Sequence, residues 1–164
     1  MLGNLFIMEL THEMISTRKM LERIPFDQFD WKPHEKSMTL GHLGKHITEL
    51  VGWIAFIIDK PELNFATAEM EKPEINSTAD LVALLDKNIA EATTKLQSVS
   101  DESLRELWKL ANGGHTIFTM PRVGAIRSVV FSHLIHHRGQ LSVYLRLLNI
   151  PVPSIYGPSA DEIN

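Results

Sequence analysis

His133, His136 and His137 fall within five residues, inside the stretch FSHLIHHRGQLSVYLRLL that otherwise has the pattern of a buried helix. Imidazole is a poor core side chain unless its ring nitrogens find partners. His133 and His137 stand four residues apart in the stripe Ile126, Val130, His133, His137, Leu141, Tyr144 and Leu148, where Leu or Val would continue the pattern. On a helix that spacing puts two side chains on one face, with Cβ atoms about 5–6 Å apart. Two imidazole nitrogens so placed can converge on one divalent ion at about 2.0–2.1 Å. His136 lies about 100° around the helix from His137, at the edge of the stripe.

A metal asks for at least one further protein ligand. The chain has no cysteine, which excludes thiolate sites and disulfides and leaves nitrogen and oxygen donors. A second helical stripe, Leu40, Leu43, Ile47, Leu50, Ile54 and Ile57, is flanked by the row His42, His46, Glu49, Trp53 and Phe56. His46 falls mid-helix, as His133 and His137 do, whereas His42 is nearer the solvated helix start. One histidine from this helix and two from the last leave coordination positions for water or substrate, which is the catalytic arrangement. A closed four-ligand shell would be structural. Glu49 reads as a fourth ligand, an acceptor for an imidazole N–H, a general base or a surface carboxylate. Spacing also permits two hydrogen-bonded core histidines with no ion. His12, His34 and His115 fall off the stripes or in loops and read as solvated. The methionines, Met8, Met14 and Met20 among them, read as core filling.

The elements that must position these residues follow from periodicity. The first helix carries Ile7, Leu10, Met14, Thr17, Leu21 and Ile24 and ends at Pro25. The third opens at NSTADL, with Ser77 or Thr78 as N-cap, and carries Leu81, Leu84 or Leu85, Ile89 and Leu96. The fourth starts near Pro121 and runs to about Leu148. The connections PFDQFDWKPHEKSM and KPELNFATAEMEKPEIN are long. The third connection, from about Ser98 to Met120, contains Asn112-Gly113-Gly114 between two short extended pieces, a small hairpin. Long links suit a bundle with crossovers. The expected fold is all-α, one four-helix bundle over a single domain of residues 1–164, with the hairpin between helices three and four.

Composition narrows the function classes. Of the residues, 44% are hydrophobic and 22% charged, an ordinary soluble mixture. The net charge of −4 and the lack of a basic block argue against a nucleic-acid partner. No secretory segment and no span of about 20 apolar residues are present, so the expectation is a cytoplasmic protein without a membrane partner.

SMTLGHLGKHITEL on the second helix, HLIHHRGQLSVYLRLL on the fourth and the tail IPVPSIYGPSADE together resemble the DinB-like family of four-helix metal-binding proteins. That family includes YfiT-like metal-dependent hydrolases and low-molecular-weight-thiol transferases. The resemblance covers nearly the whole chain and is most specific in the His-x-x-x-His-Arg-Gly-Gln run, His133 to Gln140. It implies an up-down-down-up bundle and a divalent ion, zinc or nickel, held by His46, His133 and His137, with water completing the shell. It also implies a small-molecule substrate, a low-molecular-weight thiol in the transferases, and a homodimer. Arg138 and Gln140 match the run as well. Bonds to neighbouring helices or the tail, holding the histidine pair in place, are the favoured reading over contact with substrate. A transferase would need a groove, for which Trp53, Tyr144 and the loop in LANGGH are candidates. The alternative is a non-catalytic bundle tied by its ion, serving as a dimerisation or stress-related binding module.

Overall fold

The expected stripes become largely buried helix faces, with Ile7, Ile89 and Leu148 half-buried at their edges. The computed structural model describes residues 1–69 and 73–162, mostly helical with one three-stranded sheet. α1 (Leu2–Leu21) buries Leu10, Met14, Thr17 and Leu21. Met14 and Met20 fill the core as expected, but Met8 does not. It is 70% exposed, because it shares the outer face of α1 with Met1, Leu5 and Ile15. Met70 lies outside the described residues. In α2 (Leu40–Asp59) Thr39 caps the helix by accepting from the His42 N–H at 3.2 Å, and all six stripe residues are fully buried.

Ser77 caps α3 (Thr78–Ser98), accepting from the Asp80 N–H at 3.1 Å, while the Thr78 hydroxyl donates to the Ile24 carbonyl at 2.7 Å. The α3 stripe is Leu81, Leu85, Asn88, Ala92 and Leu96; Leu84 and Ile89 are only half-buried. A polar residue enters the stripe because Gly52 leaves room for it. A Cβ there would meet the Asn88 amide at 3.2 Å, and that amide donates to the Thr48 carbonyl at 2.8 Å.

The fourth rod departs from a plain α-helix. Pro121 precedes α5 (Arg122–Ala125); a π-helical segment, Ile126–Ser132, follows, and then α6 (His133–Leu147). Before it, short α4 (Asp101–Arg105) leads from α3 into the sheet. The expected hairpin is present, as β2 (Leu107–Asn112) and β3 (His115–Pro121), antiparallel, with Gly113 at φ 58° in the turn. The all-α expectation is corrected by β1 (Glu62–Asn64), which pairs parallel to β2 with Leu63 opposite Leu110. Three residues with one buried side chain carry too little alternation to read as a strand.

Helix contacts show how the rods run. Gly44 lies against Leu81, Thr48 bonds Asn88 and Asp59 pairs with Lys95 at 2.6 Å, so α2 and α3 point the same way. Gly3 lies against Leu96, and Arg18 pairs with Asp86, so α1 and α3 oppose each other. One core cluster unites the rods, with Leu10, Leu50, Leu85 and Leu141 among its members. Among the described residues no helix is long and apolar enough to cross a membrane.

The α1–α3 contact gives a first expected outcome. A Cβ on Gly3 would sit 2.2 Å from the Leu96 carbonyl oxygen, a backbone atom that cannot swing aside. Gly3→Ala should cost about 1–3 kcal/mol by overpacking, read as a lower urea midpoint. An unchanged midpoint would contradict the close approach.

Candidate metal centre

The antiparallel run of α2 against α6 sets the site. Arg122 Nε donates to the Ile57 carbonyl at 2.9 Å at one end, and the Tyr144 hydroxyl donates to the Met38 carbonyl at 3.3 Å at the other. Between these ties His46 faces His133 and His137. The Nε2 atoms of His137 and His133 are 2.8 Å apart, those of His46 and His133 3.5 Å, and one ligand atom from each ring lies within 4.8 Å of the others. The three histidines expected to meet do meet, and no other His, Asp or Glu among the described residues joins the group.

The second nitrogen of His137 is held. Gln140 Oε1 lies 2.7 Å from His137 Nδ1; as the carbonyl oxygen can only accept, Nδ1 carries the proton and Nε2 presents its lone pair to the centre. Burial lowers the pKa of all three rings. His46 falls furthest, from its ordinary 6.5 to about 4, through burial first and then through His137, His133 and His42. For His133 a bond with the Val129 backbone, and for His137 the Gln140 bond, work against the burial. Neutral imidazoles crowded Nε2 to Nε2 are an unfavourable arrangement that a shared cation converts into coordination. The donor set fits a borderline divalent ion.

These pKa directions have a consequence for metal-free protein. Between pH 6.5 and about 4 the unfolded chain binds protons at His46 that the folded chain refuses. Stability therefore falls as pH drops through that window and levels off below it. Thermal melts of chelator-treated protein from pH 8 to pH 4 should show this fall, and His46→Gln should remove much of it.

The other histidines stay outside. His12, His34, His42, His115 and His136 are exposed, His136 lying edge-on to His137 with ring centroids 5.0 Å apart. Glu49 does not join the group of three histidines. It is half-buried, 3.9 Å from Lys45 Nζ, its pKa raised by burial. It lines a cavity of about 440 Å³ with Trp53 and Phe56 of α2 and Leu84 and Asn88 of α3. The groove candidates separate. Trp53 contacts Phe65 at 6.0 Å, next to Asn64, whose amide clasps Gly113 in the hairpin turn. Tyr144 instead packs edge-on against Trp31 at the Met38 end of α2.

Arg138 does what the favoured reading expected, bonding to α1 and to the tail. Of its partners, Thr17 was placed in the stripe of the first helix, whereas Glu13, Ser16 and Tyr156 were not singled out from the sequence. The available signal was a carboxylate, Glu13, beside the apolar stripe of α1.

The sequence model of the DinB family matches residues 3–164. This chain belongs to the DinB family. Among its relatives, uncharacterized protein YrdA of Bacillus subtilis (strain 168) is 24% identical over 96% of this DinB-family chain and 89% of YrdA. Uncharacterized protein YjoA of the same strain is 29% identical over 84% of each chain. The crystal structure of the DinB-like YjoA has a TM-score of 0.69 at 22% identity, covering 87% of this chain and 91% of that one. A DinB-like protein from Bacillus cereus ATCC 10987 gives 0.70 at 24% identity, covering 92% and 95%. These structures share the DinB fold with this chain.

Proposed function

We propose that this DinB-family protein is a metal-dependent enzyme, a hydrolase or low-molecular-weight-thiol transferase acting on a small molecule. His46, His133 and His137 would hold the ion, zinc or nickel. The observation that carries this reading is three converging imidazoles with no carboxylate joining them among the described residues. That arrangement leaves coordination positions for a guest.

A divalent ion bound to neutral ligands would keep its full charge and supply Lewis acidity, drawing the pKa of a bound water toward about 7 or ionising an incoming thiol. The protein's part is to present the lone pairs. Gln140 holds the His137 tautomer, and burial keeps all three rings unprotonated at neutral pH. The helix directions above support an up-down-down-up bundle. A homodimer is proposed as well, supported by the outward face of α1, where Met1, Leu5, Met8 and Ile15 are each more than half exposed. The proposed setting is the cytoplasm.

The test is elemental analysis of protein purified without a histidine tag, then assay of zinc- and nickel-loaded forms. Activated esters, activated amides and small thiols with electrophilic acceptors are the probes. Turnover that vanishes with chelator and returns with metal is expected. Stoichiometric metal without turnover, in a cobalt form whose visible spectrum ignores added thiol, would favour the ion as a mere tie between helices.

A further inference from the structure

We infer that Arg138 is a positioning residue for the histidine pair, and that through Tyr156 the C-terminal tail is part of the metal centre. The inference rests on the reading that the three histidines hold an ion. Arg138 follows His137 directly but points to the opposite neighbour, α1, where it is 1% exposed. Its Nη1 donates to the Glu13 carbonyl at 3.0 Å, the Ser16 hydroxyl at 2.8 Å and the Thr17 hydroxyl at 3.0 Å. Its Nη2 meets Glu13 Oε2 at 2.6 Å and donates to the Tyr156 hydroxyl at 2.7 Å. That hydroxyl in turn donates to the Glu13 carboxylate, 2.9 Å from Oε2, and the guanidinium lies 5.1 Å from the Tyr156 ring centroid.

A planar guanidinium with five directed partners fixes a helix in rotation and height, as an apolar stripe does not. α6 needs such a reference. The π segment Ile126–Ser132 lies immediately before His133, so the rotational phase of α6 does not follow from the regular α-helical register of α5. Metal ligands tolerate about 0.2 Å of error. A small rotation of α6 would move both imidazoles away from His46 together.

A purely structural cluster and a positioning one make different predictions. Replacing a whole buried ion pair by apolar residues of similar volume is often neutral or stabilising. The test is therefore the triple variant Glu13→Leu, Arg138→Met, Tyr156→Phe, read by cobalt titration and by melting of the metal-free protein. The expected result is a melting temperature near or above wild type, with cobalt affinity lower by about tenfold or more and an altered visible spectrum. Wild-type affinity and spectrum in the folded triple variant would overturn the inference. Should the triple variant not fold, Tyr156→Phe alone decides, since it removes one hydroxyl from a ring that is 64% exposed. A severalfold loss of affinity supports the tail's role, and none refutes it. Wild-type protein that binds no cobalt would instead remove the metal reading itself.

Discussion

Replacing His133 and His137 together by alanine should abolish stoichiometric metal binding and leave a helical protein. The two rings supply two of the three converging nitrogens, 2.8 Å apart. Partners that only orient ligands are worth about 10–100-fold in affinity, so losing two ligands should weaken binding by more than about a thousandfold. The helices should survive, because the buried stripe around the pair, Val130, Leu134, Leu141 and Leu145, is untouched. Metal-free variant and metal-free wild type should melt within a few degrees of each other. Added metal at about 100 times its dissociation constant should stabilise wild type alone, by about 2.7 kcal/mol. Elemental analysis and melts with and without zinc read both effects. Metal retained at one ion per chain would remove the site.

Glu13→Ala is the substitution with the largest expected effect on stability. Glu13 and Arg138 are 6% and 1% exposed, and alanine at 13 leaves the guanidinium facing the Glu13 carbonyl, two hydroxyls and Tyr156 with no opposing charge. Breaking a buried pair in this way costs about 3–5 kcal/mol. Arg138→Met in the same chain should recover much of that loss, because the cost lies in the orphaned charge. Urea unfolding of the single and double variants reads the difference. Additive losses would show that packing, and not charge, is what the pair contributes.

The candidate site was legible in the sequence because its signal is local. A four-residue spacing on one helix puts His133 and His137 on one face whatever surrounds them. His46 was legible because it stands beside a clean stripe on the second helix. The supporting residues were not. Glu13 and Arg138 are 125 positions apart, and Tyr156 joins them from an irregular tail. Met8 was misplaced because a methionine reads alike on either face of a helix; its exposure reflects the outward side of α1. β1 was missed because a three-residue strand is made by its partner β2 and not by its own pattern.

Periodicity, capping residues and the absence of cysteine determined, before any coordinates, the helical rods, the hairpin turn and that any metal donors are nitrogen or oxygen. They could do so because helix faces and turn preferences act over a few residues. Tertiary structure decided that His46 meets the pair, that Glu49 stays apart from it, and that a π segment precedes the pair while a buried Arg138–Glu13 pair, joined by the exposed Tyr156, follows it. Those outcomes depend on how the rods rotate and slide against one another. That is set by long-range packing and directed polar contacts which no local spacing encodes.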